Sequence, residues 1–524
     1  MSAPEPGADR IPVVIASGQS IERTELVTPL DLMVRACESA VADVPRLRRR
    51  VDRVSVVNVM TRVGDAPATE LARRTGMTPG RCEVTTIGGN TPQWLVNRAA
   101  SEIAQGALSV TVIAGAEAIR SSRARRAAGL PRAGGAGGAG GADGSDGSDG
   151  SALAADPVVG DDQPGAGPGE LAIGLMAPVH VYPLFESVVA ARAGHRAGQH
   201  RQAIGNLFAP FTEVAARHPM AWFPQARSAA EIATPTADNR IVSEPYTKLM
   251  TAFLGSDQGA ALVVCSLAAA REAGVEDRAV FVWSGAEAVD VRFPTARPDP
   301  GRSPAIAAAG RALFEAASTS IDDVALIDLY SCFPSAVELG ADALGLATDD
   351  ARGLTVTGGL PYFGGPGNNY TTHSIATLTD LLREGGAMGS GSARTPTLGL
   401  ATGLGWFITK HALGLYGTTP PPGGFQRGDT SADQAAIDAS AKDVALELGE
   451  PSPATVVAAT VTRDHDGAAT GAPVIARLLD GRHVAAAPAD TDVISAASDT
   501  DVSAMVGSRI AVEGSPPRYR LAGT

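Results

Sequence analysis

The chain has 524 residues, of which 44% are hydrophobic and 19% are charged, so its composition is that of a globular protein long enough for several domains. Its net charge of −13 argues against nonspecific nucleic-acid binding, which requires basic surfaces. The four cysteines are widely spaced and form no CxxC pair, which argues against a disulfide scaffold or a zinc site. No signal-like segment and no apolar run of ~18 residues is present, so the sequence predicts a cytoplasmic protein without a membrane span.

Strand-like and helix-like segments alternate along most of the chain. In the first part, β-branched runs predict strands at residues 13–16, 54–59 and 110–114, and apolar spacing predicts helices at 29–41 and 91–105. The second part repeats the pattern, with strands predicted at 279–283, 324–327 and 398–402 and helices at 305–317 and 335–344. This alternation predicts an α/β fold in which helices cover a mixed sheet.

Two segments interrupt the pattern. Residues 133–150 read AGGAGGAGGADGSDGSDG, a tract that predicts a flexible insertion because it follows no strand and carries no lysine for a phosphate. The stretch TTPPPGG at residues 418–424 ends the α/β region. A helix is predicted beyond it at 435–448, followed by short strands at 455–462, 474–479, 483–487 and 510–512. Such strands predict a small antiparallel barrel of the oligonucleotide-binding type.

Three phrases, in this order, resemble segments of thiolases, especially the sterol-carrier-protein type and related thiolase-like proteins. The first, TTIGGNTPQWLVNRAASEIAQGALSVTVIAGAEA at residues 85–118, is similar to the family's nucleophile turn with its flanking strands and helix. The second, NRIVSEPYTKLMTAFLGSDQGAALVVCS at 239–266, is similar to the passage from the family's loop domain into the last strand of the first half. The third comprises LIDLYSCFPSAVELGADALG, GGLPYFGGPGNNYTTHSIATLTDLL and LGLATGLGWFITKHALGLYG, which resemble the catalytic loops of the second half.

The resemblance spans roughly residues 10–417 and implies the thiolase fold, in which two similar α/β halves form five αβαβα layers. On this basis we expect a first half at 1–265, with a loop domain at about 120–240, and a second half at 266–418. A linker with a helix is expected at 419–450 and the barrel domain at 451–524.

The resemblance also implies that the residues of thiolase chemistry are missing. The family's nucleophilic cysteine aligns with Gly88, its histidine with Gly365 and its second cysteine with Gly403, while the polar residue of the remaining loop aligns with Tyr330. Glycine has no side chain that can attack a thioester or transfer a proton. Conventional thiolysis or Claisen condensation is therefore not expected.

Several other residues near these loops are candidates for ligand binding. They are Asn90, Cys332, Pro366, Asn368, Asn369, His373 and Gly405. Backbone amides near Gly88 and Gly405 would form an anion-binding nest if the loops keep their shape. The glycines would either widen the pocket or let a loop collapse into it, and both alternatives are open.

Histidine chemistry has two interpretations in this sequence. His373 with Cys332 or Tyr330 would form a replacement site, whereas the competing interpretation gives these residues purely structural roles. His180, His195, His200 and His218 show no metal-ligand spacing, so no metal site is predicted.

Three functions follow from the resemblance. The first is a thiolase-like protein of lipid metabolism that needs no cofactor and binds coenzyme A or an acyl-CoA. The second is an active acyltransferase with a mechanism that uses no cysteine. The third is a noncatalytic scaffold, either a homodimer or a partner of another thiolase-pathway subunit.

Overall fold

The computed structural model describes residues 8–61, 63–131, 153–387 and 397–521, so the predicted flexible insertion lies outside the described residues. The strands in chain order are β1 (Pro12–Ile21), β2 (Arg53–Val56), β3 (Arg81–Thr85), β4 (Val110–Ala118), β5 (Val158–Val159), β6 (Ile241–Ser243), β7 (Tyr246–Thr247), β8 (Asp257–Ser266), β9 (Val280–Val289), β10 (Val324–Asp328), β11 (Leu398–Gly405), β12 (Lys410–Gly417), β13 (Gln426–Arg427), β14 (Leu448–Ala459), β15 (Thr462–Arg463), β16 (Ala469–Gly471), β17 (Val474–Leu478), β18 (His483–Pro488), β19 (Arg509–Gly514) and β20 (Arg518–Leu521).

The helices begin where the sequence provides caps. Thr28 and Asp31 form a reciprocal capping box at the first helix, and Ser303 caps a later helix that has proline at its first position. The helices are α1 (Pro29–Ala42), α2 (Pro67–Arg74), α3 (Thr91–Ala104), α4 (Ile119–Ala127), α5 (Pro168–Ala172), α6 (Pro178–Arg192), α7 (Ala197–Arg217), α8 (Ala229–Ala233), α9 (Leu267–Ala273), α10 (Pro304–Ala317), α11 (Pro334–Leu344), α12 (Tyr370–Ala387), α13 (Ser431–Ala439), α14 (Thr491–Asp499) and α15 (Val502–Met505).

Two half-sheets join into one sheet of 11 strands. The first half runs in the order β5-β3-β2-β4-β8-β1, and the second runs β9-β12-β11-β10, with β13 paired to β9. They meet through a short antiparallel pairing of β1 with β9, at Val13 with Phe281 and Val14 with Val280. The predicted mixed sheet is thereby confirmed.

Helices lie between the two half-sheets and on both outer faces. The central helix α3 contacts β1 and β8 of the first half and β9, β11 and β12 of the second, and α12 packs beside it. The helices α1 and α2 cover the outer face of the first half, while α10 covers that of the second. The result is the five-layered αβαβα arrangement predicted from the sequence.

The C-terminal region forms a closed barrel of strands β14-β17-β18-β20-β19, as predicted. Its core contains Val456, Val474, Val484, Val512 and Tyr519. A second sheet of order β16-β15-β6-β7 joins strands that follow β14 to strands that precede β8. The barrel is thus attached to the region around α6 and α7 by hydrogen bonds between backbones.

One predicted helix was too long. The sequence predicted a helix at 435–448, whereas α13 ends at Ala439 and β14 begins at Leu448. The intervening backbone bonds to distant segments, with the Lys442 amide donating to Ala296 and the Ala445 amide donating to His483. Tertiary hydrogen bonds therefore override the helical spacing. Among the described helices, none is long and apolar enough to cross a membrane.

Candidate functional site

The turn between β3 and α3 is held by groups from the second half of the chain. The amide of Gly88 donates to Asn368 Oδ1 at 3.0 Å, and Thr371 Oγ1 donates to the Gly89 carbonyl at 2.8 Å. Lys410 Nζ donates to the carbonyl of Ile87 at 2.8 Å. The Gly88 amide, one of the predicted anion-binding groups, is therefore already bonded within the chain.

The space beside this turn is filled. Gly88 has a φ of +154°, and a Cβ placed on it would collide with Asn90 Oδ1 and lie 3.3 Å from Lys410 Cε. A Cβ on Gly403 would lie 2.9 Å from Asn90 Cα. A Cβ on Gly405 would lie 3.2 Å from Gly88 Cα. The space beside these three glycines is therefore occupied by Asn90, Lys410 and neighbouring backbone atoms.

Tyr330 packs against the same turn. Its hydroxyl lies against Gly89, and its ring meets Tyr370 edge to face at 5.5 Å between centroids. Burial raises the pKa of the Tyr330 phenol. The remaining void beside Tyr330 and Gly403 has a volume of about 10 Å³, which suits about one water molecule rather than a substrate.

Gly365 has different neighbours. Its amide donates to the Phe253 carbonyl at 2.8 Å, and a Cβ on it would lie 3.2 Å from that oxygen and 3.4 Å from Leu254. These residues are not the ones that surround Gly88 and Gly403. Pro366 follows and precedes the short 3-10 helix Gly367–Asn369.

The asparagine candidates support loops. Asn368 Nδ2 donates to the Asn58 carbonyl at 3.0 Å, and Asn369 Nδ2 donates to the Gly115 carbonyl at 2.7 Å. Asn90 Oδ1 is buried without a hydrogen-bond partner. The amides of Asn368 and Asn369 thus hold the strand ends of the first half to the start of α12.

His373, Cys332 and Tyr330 do not form a replacement site in this geometry. His373 Nδ1 bonds to Gln19 Oε1 at 2.7 Å, and burial lowers the pKa of its imidazole to about 3. Burial raises the pKa of the Cys332 thiol to about 12, so a thiolate is disfavoured near neutral pH. Among the described residues, no hydrogen bond joins His373 to Cys332 or Tyr330. The structural interpretation therefore fits these three side chains better.

A cavity of about 710 Å³ lies beside Phe253, the residue whose carbonyl accepts from the Gly365 amide. Its wall comes from the segment around α8, the turn at residues 248–253 and the loop at 361–362. Its aromatic and cationic side chains include Phe223, Arg227, Lys248, Phe253 and Tyr362. The first residues of the 239–266 phrase line this cavity, which the resemblance alone did not predict.

The cavity combines aromatic surface with positive charge. Phe223 is 37% exposed and meets Phe253 edge to face at 4.7 Å. Arg227 lies near Tyr362, where its charge lowers the pKa of a phenol that burial otherwise raises. The Tyr362 hydroxyl is buried and has no hydrogen-bond partner among the described residues.

No model of a known protein family matches the sequence, and no curated protein matches it. Among solved structures, the chain is similar to a monomeric SCP2-thiolase-like protein type 1 from Mycobacterium smegmatis, with a TM-score of 0.80 and 29% identity over 98% of this chain and 99% of that one. The similarity therefore includes the C-terminal barrel.

Two further solved structures match most of the chain. An Ltp2–ChsH2(DUF35) aldolase gives a TM-score of 0.59 and 18% identity over 79% of this chain and 99% of that one. Human mitochondrial 3-ketoacyl-CoA thiolase gives 0.54 and 16% over 79% of this chain and 100% of that one. At these identities the two matches show the fold alone.

Proposed function

We propose that this chain, which has the thiolase fold with an added C-terminal barrel, binds coenzyme A or an acyl-CoA without performing conventional thiolase chemistry. The observation that carries the proposal is the contrast between two spaces. The cavity beside Phe253 measures about 710 Å³, whereas the void lined by Tyr330 and Gly403 measures about 10 Å³. A ligand has room in the first, and the second holds about one water molecule.

The cavity is suited to an anionic, partly aromatic ligand. Ligand sites of ~300–1,000 Å³ are typical for small molecules and cofactors. Arg227 and the exposed Lys248 are cations that suit phosphate groups, and Phe223 and Phe253 offer faces for an adenine ring or a pantetheine arm. Glu231 and Asp238 also line the wall, which limits where phosphates can lie.

The loss of turnover follows from the cysteines and the glycines together. Burial raises the pKa of the thiols of Cys37, Cys265 and Cys332 to about 12 and also raises that of Cys82. No thiolate is therefore poised near the turn that contains Gly88. A nucleophile placed at Gly88 would need the side chains of Asn90 and Lys410 to move, and one placed at Gly403 would need the backbone at Asn90 to move.

Calorimetric titration with coenzyme A and acetoacetyl-CoA tests the proposal. We expect binding in the micromolar range, and we expect the double variant Arg227→Ala/Lys248→Ala to weaken it by at least tenfold, because two phosphate-facing charges are removed. Arg302→Ala is the matched control, since Arg302 is 56% exposed and its ion partners are Asp299 and Asp342 outside the cavity. Equal affinity in the double variant and wild type would place the ligand elsewhere.

A turnover assay on the same samples separates the remaining functions. Release of free coenzyme A from acetoacetyl-CoA would favour an acyltransferase with a mechanism that uses no cysteine. No binding up to millimolar ligand would refute the proposal and favour the scaffold function, for which a stable complex with a partner protein is then the expected finding. Binding without release is the outcome that we expect.

A further inference from the structure

A buried polar cluster lies where α6, α7 and α11 meet. It consists of Glu186, His200 and Glu338, each of which offers one ligand atom, and these atoms all lie within 4.8 Å of one another. Glu186 and His200 are buried, with exposed fractions of 0% and 1%. Part of the Glu338 side chain is exposed.

The negative charge of the cluster has no protein counter-ion. Among the described residues, no arginine or lysine pairs with Glu186 or Glu338, and the only ion-pair partner of Glu186 is His200. Glu338 Oε2 is buried and has no hydrogen-bond partner within the described part of the chain. Two carboxylates that are desolvated side by side are strongly unfavourable unless a cation or a shared proton compensates them.

Surrounding groups orient the three side chains. The Tyr246 hydroxyl donates to Glu186 Oε2 at 2.5 Å and shares a hydrogen bond with Ser335 Oγ at 2.9 Å. His195 Nδ1 lies 3.4 Å from His200 Nδ1, so His200 directs Nε2 toward Glu186 Oε1. Outer partners that fix the second imidazole nitrogen and the far carboxylate oxygen are typical of metal sites.

We propose that Glu186, His200 and Glu338 bind one divalent transition-metal ion, such as Zn²⁺. One imidazole nitrogen and two carboxylate oxygens suit Zn²⁺, Co²⁺ or Mn²⁺ better than Ca²⁺ or Mg²⁺, which prefer oxygen ligands alone. Two carboxylates, a neutral imidazole and a divalent ion sum to zero charge. A tetrahedral ion with bonds of ~2.1 Å separates its ligands by ~3.3 Å, which is within the span of the cluster.

The position of the ion gives it a structural role. Glu186 lies on α6, His200 on α7 and Glu338 on α11, so one ion ties the loop region to the second half of the chain. α6 also packs against β14 and α15, and therefore connects the site to the barrel region. The three ligand residues are separate from the residues that line the cavity beside Phe253. A metal ion here would revise the sequence-based prediction that the chain has no metal site.

Cobalt is the direct probe. The full chain is dialysed against a chelator and titrated with Co²⁺, and we expect one equivalent to produce visible d–d absorption that Zn²⁺ then removes. The same ions should raise the melting temperature, since an ion that binds the folded state stabilises it. Glu338→Gln should weaken Co²⁺ binding by at least ~100-fold, because it removes a ligand charge.

His465→Ala is the control, since His465 is 93% exposed in its pair with Asp466 and lies outside the cluster. It should leave the Co²⁺ titration unchanged. Absence of absorption and of a melting shift in the wild-type chain at millimolar Co²⁺ would overturn the proposal and leave a shared proton as the compensation. Unchanged binding in Glu338→Gln would overturn it as well, and the wild-type titration decides the matter even if the variant misfolds.

Discussion

Replacing Gly403 by alanine probes the packing around the turn at Gly88. The added Cβ would lie 2.9 Å from Asn90 Cα, 3.3 Å from the Gly89 carbonyl and 3.3 Å from Thr371 Oγ1. The closest of these atoms belongs to backbone at the start of α3, so it cannot rotate away as a side chain would. Either β11 or the turn must shift.

The cost can be worked from these contacts. Overpacking a filled core by one methyl group costs ~1–3 kcal/mol, and a contact of 2.9 Å with backbone belongs to the upper part of that range, ~2–3 kcal/mol. The reduced freedom of the unfolded chain returns ~0.4–1 kcal/mol, which leaves a net cost of ~1–2.6 kcal/mol. With an unfolding entropy of ~2.1 cal/mol/K per residue, a cooperative unit of ~400 residues shifts by ~1 °C per kcal/mol. We therefore expect Gly403→Ala to lower the melting temperature by ~1–3 °C.

Thermal melts of the purified chain, followed by circular dichroism, measure this shift. Gly385→Ala is the matched control, because Gly385 is exposed in α12 and a Cβ there meets nothing within 4 Å. That change should stabilise by ~0.5–1 kcal/mol through helix propensity. If Gly403→Ala melts at or above the wild-type temperature, the turn is not packed as described and the argument against a nucleophile at this position fails.

Three further outcomes are expected. Burial raises the pKa of Glu117 from 4.5 to about 7, so the folded chain should lose stability as the pH rises from 4.5 through 7. The melting temperature of Glu117→Gln should therefore depend less on pH between 5 and 8 than that of the wild type. Alkylation at pH 8 followed by mass spectrometry should label Cys82, which is partly exposed, and spare Cys332; early labelling of Cys332 would contradict its burial. Lys410→Met should leave two backbone carbonyls without the donor that Lys410 supplies and should destabilise the chain by ~1–3 kcal/mol. Amide hydrogen exchange around Ile87 should become faster; unchanged exchange would show that the lysine does not hold this turn.

The architecture could be predicted because the hydrophobic spacing and the helix caps indicate the same helices and strands. The central helix was predicted at 91–105 and is observed as Thr91–Ala104, and the helix predicted at 305–317 is observed as Pro304–Ala317. The predicted barrel is confirmed as well. The error at 435–448 arose where local spacing competes with hydrogen bonds to residues far away in the chain, which no local pattern reports.

The site could be predicted only in part. The resemblance predicted that the loops carrying Gly88, Tyr330, Gly365 and Gly403 converge. Tyr330 and Gly403 do lie against the turn that contains Gly88, whereas Gly365 faces Phe253 and Leu254 instead. Whether the glycines open or close the space depends on neighbours that only the fold brings together. The cluster around Glu186 was missed for a related reason. Glu186 and His200 are 14 positions apart and on different helices, so no ligand spacing relates them.

The small sheet β16-β15-β6-β7 has a consequence for the order of folding. It pairs Ser243 with Thr462, so a strand made early in synthesis must wait for more than two hundred later residues to emerge. Until then the loop region has exposed strand edges, which are prone to wrong pairings. A chain that ends before β15 would therefore lack most strands of the barrel. It would also leave β6 without its partner strand, because β15 completes the sheet that β6 and β7 begin.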